Sequence, residues 1–103
     1  MYQITFYVPE SHLKAVKQAI FEAGAGKIGS YDRCAWVCLG TGQFRPLEGS
    51  HPFLGNTHQV ETVAEYRVEL VCADEYIKAA IAALIQSHPY ETPAYSVIKL
   101  ASF

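Results

Sequence analysis

The chain carries little charge of either sign and no excess of positive charge. Eight Lys+Arg face ten Asp+Glu, for a formal net charge of −2, and charged residues make up only 17%. A nucleic-acid surface needs a basic stripe, so no nucleic-acid partner is expected. The basic residues stand singly apart from Lys14 and Lys17, which read as a solvated helix face. Long apolar runs are missing as well. The longest, residues 77–85, falls far short of the ~20 residues a membrane span requires, so no membrane partner is expected. No basic region followed by an apolar one opens the sequence, which argues against a secretory signal.

Cysteine is scarce. Three residues, Cys34, Cys38 and Cys72, cannot all pair within one chain. Free thiols without a signal peptide point to a reducing, cytoplasmic location. Cys34 and Cys38 share an expected strand, where four residues span about 13 Å. A disulfide needs Cα atoms within about 7 Å. The two are therefore expected as buried structural thiols, with metal or redox chemistry the lesser reading.

Apolar side chains are plentiful. Hydrophobic residues at 50% and aromatics at 13% suffice for a core and are unlike a disordered chain. At 103 residues the chain is expected to form one domain, residues 1–103.

Residues 2–8 alternate, with Ile4, Phe6 and Val8 on one face, and Pro9 stops the strand. Leu13, Val16, Ala19, Ile20 and Ala23 then recur at helical spacing, with Ser11 as the expected N-cap and Gly24 as the stop. Residues 31–39 read as a second strand. Its two apolar faces predict an interior or doubly covered position. Residues 40–60 hold Gly, Pro and His without a period, and a loop that long in a small domain is usually functional. Residues 62–72 form a third strand with Tyr66, Val68, Leu70 and Cys72 on one face. Asp74 is expected to cap a second helix, with Ile77, Ala80, Ile81, Leu84 and Ile85 as its buried stripe and Pro89 as its end. Residues 94–100 complete the set as a last strand.

This order predicts an α+β, ferredoxin-like βαββαβ sandwich: an antiparallel sheet, two helices on one face and a long loop between the second and third strands. Right-handed crossovers place both helices on the same side. The other face stays open, with Thr5, Tyr7, Trp36, Arg67 and Lys99 expected on it. An open face carrying Trp and Tyr suggests burial against another subunit.

Three motifs invite chemistry. Gly24-Ala25-Gly26-Lys27-Ile28-Gly29 fits G-x-G-x-x-G in letters. It follows a helix and leads to a strand, the reverse of the dinucleotide arrangement. The glycines read as a left-handed helix stop, with a weak anion nest at Gly26 and Lys27 as the functional alternative. His51 and His58 share one loop with Glu48 and Glu61 and could converge on a metal, although no pair has the spacing of a strong zinc signature. His88-Pro89-Tyr90-Glu91-Thr92-Pro93 is the most distinctive stretch. Its prolines stiffen the turn, and His88 with Glu91 would serve proton transfer only inside a substrate pocket.

This last stretch resembles the His-Pro-Tyr-Glu-x-Pro signature of CutA proteins, trimeric ferredoxin-like proteins similar in shape to PII signal proteins and linked to divalent-cation tolerance. A longer resemblance runs through residues 24–31, then Gly42-Gln43-Phe44-Arg45-Pro46, Gly49-Ser50-His51-Pro52, Gly55 and His88-Pro89-Tyr90-Glu91. These look like the CutA/PII-like insertion domain of bacterial NIF-three-like proteins, of which stand-alone, YqfO-like copies exist. The resemblance implies the same fold and a homotrimer. The paired metal ions of NIF-three-like proteins lie in flanking halves outside this stretch, so their hydrolase labels do not transfer.

The sequence therefore predicts a non-enzymatic ligand- or partner-binding regulatory module, homo-oligomeric and without a firm cofactor. Its expected ligand site comprises Phe44, Arg45, His51, Phe53, His58, His88, Tyr90 and Glu91. The alternative is a divalent-metal-binding protein of CutA-like type, with His51, His58, His88 and Glu91 as ligands. A proton-transfer enzyme using His88 and Glu91 ranks third.

Overall fold

The computed structural model describes residues 1–103. Strand β1 spans Tyr2–Val8, helix α1 Glu10–Glu22, strand β2 Trp36–Phe44, strand β3 Glu61–Cys72, helix α2 Ile77–Ser87 and strand β4 Tyr95–Lys99. The strands form one sheet in the order β2-β3-β1-β4, every neighbouring pair antiparallel. This is the expected ferredoxin-like α+β arrangement.

Alternation in β1 and β3 builds the core. Phe6 lies opposite Val68 and Ile4 opposite Leu70, and all four are buried with Val16 and Ile20 of α1 and Ala80 and Leu84 of α2. The α2 stripe is narrower than expected, because Ile85 is exposed.

Helix α1 begins one residue before the expected cap. Pro9, extended at φ −68°, precedes it, and Ser11 lies inside the first turn, where its hydroxyl meets His12 Nδ1 at 2.8 Å. The C-terminus is a Schellman stop. Gly24 takes φ +111°, its N–H bonds the Phe21 carbonyl at 3.0 Å, and the Ala25 N–H reaches the Ile20 carbonyl at 3.2 Å. Asp74 does not cap α2. It sits in a short 3-10 turn, Asp74–Tyr76, and bonds Lys99 Nζ at 2.9 Å.

Strand β2 differs most from its expectation. It starts at Trp36 because the chain turns first: Ile28 and Tyr31 exchange backbone bonds of 2.9 Å, Arg33 is left-handed at φ 54°, and the Cys34 N–H goes to the Gly26 carbonyl. It then runs on to Phe44, five residues into the expected loop. It is also an edge strand rather than an interior one. Val37 packs against the core, while Trp36 and Leu39 are left 70% and 60% exposed. Cys38 is exposed and Cys34 half-buried, so neither is the buried thiol expected; Cys72 is buried.

Both helices cover one side of the sheet. The open face carries Tyr7, Trp36 and Arg67 as expected, and Thr5, which is buried there within the central strand. Lys99 is the exception. The β1–β4 register pairs it with Tyr2, on the helix side, and sets Ile98 opposite Gln3 on the open face.

The β2–β3 hairpin extends beyond the rest of the sheet, which gives the molecule extents of 46 × 25 × 24 Å. Between its strands, residues 45–60 fold back on the hairpin: the His58 N–H bonds the Pro46 carbonyl at 2.6 Å, and the Ser50 hydroxyl the Leu47 carbonyl at 2.6 Å.

Candidate functional site

The hairpin loop meets the turn after α2, and a cleft of about 520 Å³ opens between them. Tyr7, Phe44, Arg45, Phe53, Glu65, Tyr90 and Glu91 are among its lining residues.

His88 anchors the turn from below. It closes α2, and its side chain is buried, 7% exposed. Its Nε2 lies 2.6 Å from the Tyr7 carbonyl, while its Nδ1 faces the Tyr90 N–H at 3.1 Å. A carbonyl only accepts and a backbone amide only donates. Those partners assign the neutral ring with hydrogen on Nε2. Burial pushes the His88 pKa below the usual histidine value, partly opposed by the Tyr7 bond and by the charge of Glu65.

Tyr90 is the hub. Its ring lies 4.8 Å from the His88 ring and 6.2 Å from the rings of both Phe44 and Phe53. Its hydroxyl donates to Glu65 Oε2 at 2.8 Å. Burial, then this bond and the carboxylate's charge, hold the phenol well above its usual pKa. Glu65 reaches that position over Gly42, where a Cβ would overlap the carboxylate, with Glu65 Cδ only 2.7 Å away.

Glu91 fastens the loop by accepting the His51 N–H on Oε2 at 2.7 Å. Phe53 is held from outside by the edge of His12, 5.5 Å between ring centroids.

The structure thus gathers Phe44, Arg45, Phe53, Tyr90 and Glu91 at one cleft, with His88 beneath and His51 at its rim. His58 is not among the lining residues; it takes φ 64°, and its Nε2 lies 3.9 Å from Glu48. The four candidate metal ligands therefore do not meet. No group of three or more His, Cys, Asp or Glu side chains comes together anywhere in the chain, and both ring nitrogens of His88 are already engaged. The same engagement leaves His88 without a free nitrogen for proton transfer.

At the expected anion nest, one donor is already engaged. The Gly26 N–H donates to the Val71 carbonyl at 2.7 Å, and Lys27 Nζ lies over the Tyr76 ring at 5.3 Å. An amide spent inside the fold cannot cradle an anion.

Sequence reasoning missed Tyr7, His12, Gly42 and Glu65. A signal existed for one of them. Gly40 and Gly42 alternate on one strand face, a pattern that marks close approach by another group.

No protein-family model matches the chain. Curated relatives do. The GTP cyclohydrolase 1 type 2 homolog of Mycobacterium leprae is 47% identical over 94 residues, covering 91% of this chain and 24% of that protein. The protein of the same name from Halalkalibacterium halodurans is 40% identical over 102 residues, covering 99% and 27%. The chain thus spans about a quarter of the length of these relatives. Among solved structures, a Bacillus cereus protein related to NIF3 superposes with a TM-score of 0.84 at 36% identity, over 98% of this chain and 26% of that one. The PII-like protein CutA of Nostoc superposes with a TM-score of 0.69 at 16% identity, over 97% and 81%. That second likeness concerns the fold.

Proposed function

Because this chain resembles the CutA/PII-like insertion domain of NIF-three-like, YqfO-like proteins, we propose that it is a cytoplasmic, non-enzymatic regulatory module that binds a small ligand in the cleft between the hairpin loop and the turn after α2. The observation that carries this reading is the cleft itself: about 520 Å³, with the rings of Tyr7, Phe44, Phe53 and Tyr90 set among charged and polar side chains. Small-molecule sites have that size. The cyclohydrolase name belongs to chains of which this one spans a quarter, and it is not extended to the domain.

Oligomerisation is part of the proposal. The open sheet face leaves Trp36 and Ile98 exposed, and exposed apolar residues on one sheet face favour a subunit contact. With the resemblance to trimeric CutA proteins, a homotrimer is the expected assembly.

A ligand screen by NMR, run on the wild type and on Phe44→Ala with Phe53→Ala, tests the site. Compounds that shift the amides of Phe44, Phe53 and Tyr90 in the wild type, and lose affinity in the double variant, support it. Compounds that bind both proteins equally would remove the cleft as the site. Native mass spectrometry reads the assembly separately, and a clean monomer would end the trimer reading.

A further inference from the structure

The cleft has an unusual pairing of ring geometry with negative charge. The rings of Phe44 and Phe53 flank Tyr90 at 6.2 Å, tilted to it by 50° and 47°. All three residues line the cleft, and neither pair is stacked face to face. Ring faces are negative, and a cation within about 6 Å of a centroid is attracted to them.

The charges at the cleft point the same way. Glu65 and Glu91 line it, against one cation, the exposed Arg45. The Tyr90 hydroxyl donates to Glu65, which draws its proton towards the carboxylate and leaves the ring more electron-rich. The protein's own cation–π contacts lie elsewhere, Lys27 over Tyr76 and Lys99 over Tyr2. The three cleft rings are not used by any internal Lys or Arg.

A hard metal ion does not suit this lining. It would need several oxygen ligands to replace its water, and no such cluster forms. An alkylated ammonium is weakly hydrated, matches ring faces and still answers the carboxylates. The volume of about 520 Å³ suits a compact molecule. We propose that the cleft formed by Phe44, Phe53 and Tyr90 beside Glu65 selects a small organic cation of the alkylated-ammonium class. This inference rests on the ligand-binding reading and adds the chemistry of the ligand.

The test compares choline with 3,3-dimethylbutan-1-ol, its uncharged isostere, by NMR titration of the full chain. Choline should shift the amides of Phe44, Phe53 and Tyr90 and bind roughly tenfold tighter than the alcohol, the size expected of a partly desolvated cation–π contact. Glu65→Gln, which keeps shape and removes charge, should reduce the choline preference severalfold and leave the alcohol unchanged. Tyr90→Leu should abolish the preference, with a dispersed spectrum confirming the fold. Equal or tighter binding of the alcohol would overturn the cation class while leaving a ligand cleft in place. Shifts with neutral or anionic fragments but not with choline would do the same. Silence of the cleft amides towards all of these compounds would overturn both readings.

Discussion

The backbone N–H of His51 donates to Glu91 Oε2 at 2.7 Å, joining positions 40 residues apart in the chain. One side of that bond is the hairpin loop, and the other is the turn between α2 and β4. This contact joins the turn to the loop, and the Tyr90–Glu65 bond joins the same turn to β3, so both bridge residues that line or border the cleft.

Glu91→Ala should release the loop without unfolding the sheet. The His51 amide is expected to exchange with solvent about tenfold faster, since a hydrogen bond to a charged group is lost. The amides of β1 and β3 should keep their protection. Hydrogen exchange measured residue by residue checks this. An unchanged His51 rate would show that the loop is held by its own bond from the His58 N–H to the Pro46 carbonyl.

Gly42→Ala should act on a residue it does not neighbour in sequence. The added Cβ overlaps the Glu65 carboxylate, which must swing away from the Tyr90 hydroxyl. A flexible side chain can move, so the stability loss should be modest, about 1 kcal/mol for the hydrogen bond. The sharper signature is the phenol. Its pKa, now held above the usual value of 10.0, should fall towards that value. A spectroscopic titration of Tyr90 that matches the wild type would refute the link between Gly42 and Glu65.

His88 should make the protein weaker in acid. Burial lowers its pKa in the folded chain, with the Tyr7 bond and Glu65 opposing and His12 assisting. The unfolded chain protonates near 6.5. As pH falls below that value the unfolded state takes up a proton that the folded state refuses, so stability drops until the folded pKa is reached, then levels. Above about pH 6.5 the contribution is complete. His88→Gln should remove this slope, while costing about 1–3 kcal/mol at neutral pH because the Tyr90 N–H loses its acceptor. Urea unfolding of both chains between pH 5 and 8 makes the comparison. Parallel curves would mean that His88 does not carry the pH dependence.

Gly24 and Gly29, two of the three glycines between α1 and β2, should differ in their tolerance of alanine. Gly24 combines φ +111° with a Cβ position 2.6 Å from the Tyr76 ring, so Gly24→Ala meets both strain and a clash. Its cost should exceed about 1 kcal/mol. Gly29, at φ +56°, has open space around its Cβ position. Alanine there should cost about 1 kcal/mol, the left-handed penalty alone. Denaturation midpoints that rank the two in the opposite order would contradict this reading of the Schellman stop.

The fold was legible because its strongest signals are local. Ile4, Phe6 and Val8 alternate, Val16 and Ile20 recur one helical turn apart, and Gly24 ends the helix in the conformation only glycine adopts freely. Errors arose where a local pattern had a non-local cause. Asp74 has the side chain of a cap, but the Met1 ammonium and Lys99 of β4 capture its two oxygens. Apolar residues on both faces of β2 suggested an interior strand, yet periodicity cannot tell a strand buried by its own chain from an edge strand left uncovered.

The candidate site was legible in part for the same reason. Phe44, Phe53, Tyr90 and Glu91 stood out because two unusual segments contain them, and those segments do meet. Nothing local marks Glu65, which looks like any outward charge on an alternating strand, or Tyr7, whose carbonyl holds His88.

The sequence by itself determined the number and order of the elements, the core faces of β1, β3 and the two helices, and the stop after α1, because hydrophobic period and backbone strain act over a few residues. Tertiary structure alone decided which polar groups are spent and which are free. The His88 Nε2, the Gly26 amide and the Glu91 carboxylate are claimed by partners distant in sequence. Hydrogen-bond capacity is fixed for each group, but its allocation depends on which groups the fold brings within 3 Å, and that is settled only when the whole chain has packed.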